Sequence, residues 1–332
     1  DWLLRPEHRP PAAGASPSLR QELFGGGENA SLSFDSPVGL AAGFDKNAWL
    51  VPLYRLGFFP GLGFAEVGSV SAESADGNTK PRCWRIPEDQ AVVNFMGLNN
   101  EGADAVASRL ERGRATPTRA PVGVNIAKTH SPMIFGGAAV EDFANSFRIL
   151  APHADFVVLN VSCPNTAEGK TFEEPDTLAE LLQAIARERS LVNWPGKQPP
   201  ILVKLVATAD TEEGRARQKI LLQTIEASGT VDGLVISNTV PQQQAQLSTT
   251  GREVADAIGK GGLSGRPIHA RSVAAIRSAY EATGGRLPII GVGGTDSAEA
   301  AYEKIRAGAS LVEAGVEFLI CYCCCCCYSN IQ

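Results

Sequence analysis

The chain has 332 residues, of which 44% are hydrophobic and 20% are charged, which is the composition of an ordinary globular protein. Its formal net charge of −6 argues against a nucleic-acid partner, because a phosphate backbone is bound by a basic surface. No uninterrupted apolar stretch approaches the roughly 18 residues of a membrane-spanning helix. A chain of this length can form two average domains, or one α/β barrel of about 250 residues with additional segments.

The amino-terminal segment differs from the rest of the chain in composition. Residues 1–35 are rich in Pro, Gly, Ser and Glu, and we predict that they are a lead-in or the remnant of a missing module. The sequence begins with Asp1 and not with methionine. We therefore expect it to start inside a longer product, whose upstream part would hold any targeting peptide or membrane anchor.

Eight short apolar runs predict strands, and amphipathic stretches between most of them predict helices. The predicted strands are Val38–Ala41, Phe64–Val67, Val122–Ile126, Phe156–Val161, Ile201–Leu205, Gly233–Ile236, Pro288–Val292 and Ser310–Glu313. The predicted helices are Glu141–Leu150, Asp176–Glu188, Glu213–Ala227, His269–Thr283 and Ser297–Ala307. Alternating strands and helices indicate right-handed βαβ units and a parallel sheet. Eight such units over residues 36–316 favour a (β/α)₈ TIM barrel over a doubly wound open sheet.

The carboxyl end of the chain is rich in cysteine. Six of the eight cysteines lie within Cys321–Cys327. A metal site needs ligands spaced so that several face one ion, and consecutive cysteines lack that spacing. We predict that residues 317–332 are a low-complexity tail without packed structure, with a low-affinity metal or redox tail as the alternative.

Polar residues and glycines follow the carboxyl ends of the predicted strands, where barrel enzymes carry their active sites. In chain order these residues include Gly43, Lys46, Ser69, Asn125, Asn160, Lys204, Ser237, Asn238, Gly293 and Gly294. A single asparagine after a strand is usually a turn residue or a helix cap. Because seven strands share the pattern, we predict one site at the mouth of the barrel.

The residue types at this mouth indicate the chemistry of a ligand. Glycines before a helix let backbone N–H groups approach an anion, so Gly291–Gly294 is predicted to bind a phosphate. Gly261–Gly265 either adds amides to the same phosphate or forms a tight turn. Lys46 and Lys204 suit a ligand that carries or develops negative charge, with a salt bridge to Asp45 as the alternative for Lys46.

Amides and a thiol complete the predicted site. The asparagines suit a planar ring edged with carbonyl and N–H groups, whereas the four histidines lack the paired spacing of a metal site. Cys163 follows a predicted buried strand in the sequence Asn160–Thr166. A cysteine thiol, which ordinarily ionises near pH ~8.5, can accept a proton when its thiolate is stabilised. No histidine is adjacent to activate it for covalent catalysis, so we predict a general base, with an inert buried cysteine as the alternative.

These sequences together resemble dihydroorotate dehydrogenase, a family of FMN-dependent barrel enzymes of de novo pyrimidine (UMP) biosynthesis. The resemblance is carried by Ser36–Asn47, Gly77–Arg82, Pro87–Asn94, Gly123–Asn125, Asn160–Thr166, Gly261–Pro267 and Pro288–Leu311. Phe44–Asn47 and Pro87–Asp89 are similar to the membrane-associated, quinone-using class.

The resemblance implies an activity and a role for each residue. It implies oxidation of (S)-dihydroorotate to orotate, with hydride passing from C6 to flavin N5, Cys163 taking the C5 proton and a quinone reoxidising the flavin. The implied FMN contacts are Ala42, Gly43, Lys46, Ser69, Asn125, Asn160, Lys204 and Ser237, with Gly265, Gly293 and Gly294 at the phosphate. The implied substrate contacts are Lys46, Asn94, Asn99, Asn165, Asn238 and Thr239.

The chain departs from the family pattern in three places. Cys163 stands where the quinone-using class usually carries serine, which keeps fumarate or NAD open as the electron acceptor. The helices of the quinone tunnel are mostly absent from the first 35 residues. After Val312, Glu313–Val316 replaces the expected Gln-Leu-Tyr-Thr, which predicts an incomplete eighth unit and keeps a catalytically impaired barrel open.

The quinone-using class also implies a location. We expect peripheral membrane association through a missing amino-terminal segment. The membrane would be the mitochondrial inner membrane in a eukaryote or the cytoplasmic membrane in a bacterium.

Overall fold

Eight parallel strands close into a barrel in the computed structural model of the chain, which describes residues 19–25, 31–114, 120–162, 172–208 and 211–315. The strands, numbered in chain order, are β1 (Gln21–Leu23), β2 (Leu32–Phe34), β3 (Val38–Leu40), β4 (Phe64–Val70), β5 (Cys83–Ile86), β6 (Ala91–Asn94), β7 (Val122–Ile126), β8 (Phe156–Asn160), β9 (Ile201–Leu205), β10 (Gly233–Ile236), β11 (Val240–Pro241), β12 (Gly262–Gly265), β13 (Ile289–Val292) and β14 (Leu311–Ala314). Around the barrel the order is β3, β4, β7, β8, β9, β10, β13 and β14.

The barrel closes because the eighth strand pairs with the first. β14 lies parallel to β3, with Val312 opposite Val38 and Ala314 opposite Leu40. This closure confirms the predicted (β/α)₈ TIM barrel, and each predicted barrel strand overlaps an observed one. The eighth strand is present, while the segment that would hold the last helix lies outside the described residues. The cysteine-rich tail, residues 317–332, lies outside them as well.

Helices between the strands form the outer layer. They are α1 (Val51–Leu56), α2 (Ala103–Arg114), α3 (Gly137–Leu150), α4 (Pro175–Leu191), α5 (Glu212–Ser228), α6 (Thr249–Ile258), α7 (His269–Thr283) and α8 (Ala298–Arg306). The sequence predicted α3, α4, α5, α7 and α8 but not the other three. α2 was missed because its buried face consists largely of small residues, which give a weak apolar stripe. No described helix combines the length and the apolar character needed to cross a membrane.

Aromatic side chains fill the amino-terminal half of the barrel interior. Phe34 lies edge-on to Phe64, with ring centroids 5.5 Å apart, and Phe64 contacts Phe156 at 6.2 Å. Phe34 belongs to the hairpin of β1 and β2, which covers this end of the barrel. The interpretation of residues 1–35 as a lead-in or a remnant did not include this hairpin, because three-residue strands are too short to show a period.

A second sheet stands at the carboxyl ends of the barrel strands. Its four antiparallel strands follow the order β11, β12, β6 and β5. β5 and β6 come from the connection after β4, and β11 and β12 from the connections after β10. Gly262–Gly265 pairs with β6 as a strand, so the alternative that Gly261–Gly265 forms a tight turn was wrong. Four residues rich in glycine carry too little side-chain pattern to predict a strand.

We expect the substitution Gly123→Ala in β7 to destabilise the fold by about 1–3 kcal/mol, the usual cost of overpacking. A methyl group at this position would overlap the Phe156 ring, which fills the space over the glycine. The measurement is the free energy of unfolding by denaturant. Gly137→Ala is the matched control, since a methyl group there meets no atom within 4 Å. Equal free energies for the two variants would contradict this account of the interior.

Candidate active site

A polar layer lies directly above the apolar filling of the barrel. Side chains alternate along a strand, so residues two apart point to the same side. Phe64, Leu202 and Leu311 belong to the apolar interior. The residues two positions later are Glu66, Lys204 and Glu313, which therefore also point inward and are buried.

Glu66 holds the polar layer together. Its Oε1 atom accepts a hydrogen bond from Asn125 Nδ2 at 2.7 Å and lies 3.3 Å from Lys204 Nζ. Burial acts to lower the pKa of Lys204, but the carboxylates of Glu66 and Glu313 outweigh it, so the pKa is raised. The ammonium group of Lys204 is therefore charged at neutral pH.

Above this layer two adjoining cavities open at the carboxyl ends of the strands. Their volumes are about 170 Å³ and about 120 Å³. Both are lined by Ala42, Gly43, Lys46, Asn94, Met96, Lys204, Asn238 and Thr239. The barrel supplies one wall, and β5, β6 and β12 supply another through Cys83, Val92 and Ser264. The shared lining makes the two cavities parts of one site.

Most residues predicted from the sequence reach this site. Those in its walls are Ala42, Gly43, Lys46, Ser69, Asn94, Asn160, Lys204, Ser237, Asn238, Thr239 and Gly293. Asn125 lies behind the wall and contacts Glu66. Gly265 and Gly294 lie next to each other and are absent from the lining of both cavities. Asn99 is absent from the lining of both cavities. Cys163 and Asn165 lie outside the described residues.

A chain of hydrogen bonds orients the amides in the wall. Asn238 Nδ2 donates to Asn160 Oδ1 at 3.0 Å, and Asn160 Nδ2 donates to Ser69 Oγ at 3.1 Å. Asn238 Nδ2 also lies 3.1 Å from the backbone oxygen of Ser162, and its Oδ1 accepts from the backbone N–H of Thr239. The amides are thereby fixed before a ligand arrives, which lowers the entropy lost on binding.

The glycine loop after β13 has a backbone conformation that other residues adopt only with strain. Gly293 and Gly294 have φ angles of 107° and 65°, in the left-handed region where a side chain is strained. The loop precedes α8, whose amino end favours negative charge. Its backbone is anchored because His269 Nδ1 lies 3.0 Å from the Gly294 carbonyl oxygen.

Two of the buried polar atoms that have no protein partner among the described residues bear directly on a ligand. They are Ser237 Oγ, whose side chain lines the larger cavity, and Asn125 Oδ1 beneath the wall. A buried polar group without a hydrogen bond is costly, and a bound ligand or water commonly satisfies it. Together with the glycine loop and Lys204, these atoms fit a ligand with a polar planar ring and a phosphate.

The sequence interpretation missed several residues of the site. Glu66, Glu313, Cys83 and Met96 were not among the candidates, although the first two are charged residues inside apolar strands. A charged residue inside an apolar strand could have indicated the site from the sequence, since a buried carboxylate requires a partner. Cys83 and Met96 carried no such signal, because they reach the cavity only through the antiparallel sheet.

Comparison with known proteins identifies the family. The family model described as "Dihydroorotate dehydrogenase" matches residues 28–324. The chain belongs to the dihydroorotate dehydrogenase family. It is 41% identical over 302 residues to the dihydroorotate dehydrogenase (quinone) of Deinococcus radiodurans, covering 89% of this chain and 75% of that protein. It is 40% identical over 286 residues to the mitochondrial dihydroorotate dehydrogenase (quinone) of Mus musculus, covering 84% and 68%.

Solved structures of the same family share the fold. The dihydroorotate dehydrogenase of Eimeria tenella in complex with ferulenol superposes with a TM-score of 0.79 at 31% sequence identity. The match covers 96% of this chain and 84% of that protein. The ligand-free form from the same organism gives a TM-score of 0.78 at 32% identity, covering 92% and 83%.

We expect the thiol of Cys83 to react slowly with iodoacetamide at neutral pH. The Cys83 side chain is exposed, but partial desolvation still raises its pKa above the usual value of 9.0, an effect that Arg85 only partly offsets. The thiolate is the reactive form. The alkylation rate, followed by mass spectrometry of the Cys83 peptide, should still be rising with pH at 9.0. The rate is expected to increase over this range because a raised pKa moves thiolate formation to higher pH. A rate that levels off below that pH would contradict the prediction.

Proposed function

We propose that the chain is an FMN-dependent dihydroorotate dehydrogenase that oxidises dihydroorotate to orotate and passes the electrons to a quinone. The observation that carries the proposal is the cation of Lys204, held on Glu66 at the floor of a cavity walled by oriented amides. Membership of the family and the quinone-type relatives support the same reaction.

The residues of the site divide between cofactor and substrate. When bound, FMN would supply the ring nitrogen N5 that accepts a hydride from C6 of dihydroorotate. The residues proposed for the ring are Ala42, Gly43, Lys46, Ser69, Asn125, Asn160, Lys204 and Ser237, with Gly265, Gly293 and Gly294 for the phosphate. Those proposed for dihydroorotate are Lys46, Asn94, Asn99, Asn165, Asn238 and Thr239. Paired amide donors and acceptors suit the edges of a pyrimidine ring, and Lys46 suits its carboxylate.

Cys163 is proposed as the base that takes the C5 proton. It follows Asn160 and Ser162 in the chain, and both side chains lie at the wall of the site or next to it. A thiol needs a smaller pKa adjustment than a serine hydroxyl to accept a proton near neutrality.

The acceptor and its location form a further part of the proposal. Quinones reside in the lipid bilayer, so we propose that the enzyme works at a membrane surface. Reoxidation of the reduced protein by quinone-loaded vesicles should exceed reoxidation by fumarate or NAD. Faster reoxidation by fumarate or NAD than by quinone would contradict the proposal and indicate a water-soluble acceptor.

A flavin titration tests the proposed function directly. Purified protein should bind FMN with quenching of flavin fluorescence, and anaerobic dihydroorotate should bleach the flavin absorbance. Protein that stays colourless under excess FMN would overturn the proposal and support a catalytically impaired barrel. If the protein binds FMN but dihydroorotate does not bleach the flavin, the chain would be a flavoprotein that acts on another substrate.

We expect Lys46→Met to weaken dihydroorotate binding by roughly tenfold to a hundredfold, the worth of a hydrogen bond to a charged group. Lys46 lines both cavities and is only partly buried, so its removal leaves the fold intact. The measurement is the Kd for dihydroorotate in a flavin-reduction titration. Lys197→Met is the control, because Lys197 is an exposed lysine remote from the cavity lining. An equal change in the Kd for dihydroorotate in both variants would show that Lys46 does not bind the substrate.

We expect Cys163→Ser to shift the pH optimum of flavin reduction upward. A serine hydroxyl has a higher intrinsic pKa than a thiol and accepts the C5 proton only at higher pH. Stopped-flow flavin reduction across a pH series measures the shift. An unchanged pH profile would show that another group is the base.

A further inference from the structure

Two carboxyl groups meet inside the barrel beneath the cavity. Glu66 is 1% exposed and Glu313 is fully buried at 0%. Glu66 Oε1 accepts from Asn125 and contacts Lys204, but Glu66 Oε2 and both carboxyl oxygens of Glu313 are buried without a donor among the described residues. Glu313 and Glu66 lie on β14 and β4, the two neighbours of β3 in the barrel, and their carboxyl groups act on each other. Three buried acceptor oxygens of these two side chains therefore have no donor from the part of the chain that the structure describes.

The charges around this pair do not balance if both carboxyl groups are ionised. Lys204 from β9 is the cation that acts on Glu313, and Glu66 from β4 is the anion. The strands that flank Glu313, β3 and β13, contain no titratable side chain. The charged residues of α8, which packs against β14, are Glu299, Glu303, Lys304 and Arg306; this helix lies in the outer layer, whereas Glu313 points inward. One lysine and two carboxylates would leave a buried net charge of −1, which is strongly unfavourable.

We infer that Glu66 and Glu313 share one proton at neutral pH, with the Glu313 carboxyl group donating a hydrogen bond to Glu66 Oε2. The shared proton gives Glu66 Oε2 a donor and makes the group of Glu66, Glu313 and Lys204 electroneutral. In accord with this, burial raises the pKa of Glu313 well above its usual range, and the Glu66 carboxylate raises it further.

The shared proton has a consequence for the cavity. Lys204 lines the cavity, so the charge of the layer beneath it acts on any ligand there. Loss of the proton would add a negative charge and disfavour an anionic or electron-rich ligand, such as FMN when it accepts a hydride. Glu313 is in this sense a positioning residue that acts through Lys204. This consequence rests on the proposed function, whereas the sharing of the proton does not.

Thermal unfolding across a pH series tests the shared proton. Above the usual Glu pKa of 4.5, the unfolded chain releases a proton that the folded chain keeps, so rising pH favours unfolding. Relative to Glu313→Gln, the unfolding constant of the unmodified protein should rise about tenfold per pH unit until the folded pKa is reached. The Tm of the unmodified protein minus the Tm of Glu313→Gln should therefore be constant below pH 4.5 and fall as the pH rises above it. Glu111→Gln, at an exposed position in α2, is the control and should show a constant difference. A constant difference for Glu313→Gln as well would overturn the inference.

Infrared spectroscopy tests the same proton without a change in stability. The unmodified protein at neutral pH should show the C=O stretch of a buried protonated carboxyl group, and Glu313→Gln should lack it while Glu111→Gln keeps it. Absence of the band from the unmodified protein would overturn the inference even if Glu313→Gln failed to fold.

An FMN titration separates this inference from the proposed function. The affinity of the unmodified protein for FMN should fall several-fold between neutral and alkaline buffer, and that of Glu313→Gln should fall less. Equal pH dependence would mean that the carboxyl pair does not act on the cavity. If neither protein binds FMN, the proposed function fails, while the unfolding and infrared measurements still decide whether the proton is shared.

Discussion

The contact between Lys204 and Glu66 marks the level at which the apolar filling of the barrel ends and the binding cavity begins. Below it, Phe64, Leu202 and Leu311 exclude water from the interior. Above it, the strands end in lysine, serine, asparagine and glycine. Because side chains on neighbouring positions of a strand point to opposite faces, polar residues can enter the interior only at set levels. The buried cation and its carboxylate partner define one such level, and the site is built on it.

The antiparallel sheet formed by β5, β6, β11 and β12 gives the cavity its second wall. The mouth of a barrel by itself is shallow and open to solvent, whereas a site that buries most of a ligand must be deep and concave. The two insertions that form the sheet follow β4 and β10 and meet over the mouth through the pairing of β12 with β6. Asn94, at the end of β6, is thereby brought beside the barrel residues Lys46 and Asn238. The site therefore combines rigid positions from two sheets.

The local charge of the site differs from the charge of the whole chain. The net charge is −6, yet Lys46 and Lys204 line the cavity, and a glycine loop with backbone N–H groups lies at one side of it. Both arrangements favour an anionic ligand. The overall charge argued against a nucleic-acid partner because such a partner covers a large surface. It did not predict the sign of the field within one cavity, which depends on a few buried groups in a low-dielectric setting.

The sequence by itself determined the barrel and most of its mouth. Apolar runs alternating with amphipathic stretches predicted the eight strands, and the register of polar residues at their ends placed Lys46, Asn160, Lys204 and Asn238 together. Strand ends align in any parallel barrel, so this step required no knowledge of packing. The tertiary structure alone decided the contacts between segments that are distant in the chain. It paired β6 with β12, brought Cys83 and Met96 to the cavity, and set Glu313 against Glu66. Such contacts depend on long-range pairing, which leaves no periodic signal in a local stretch of sequence.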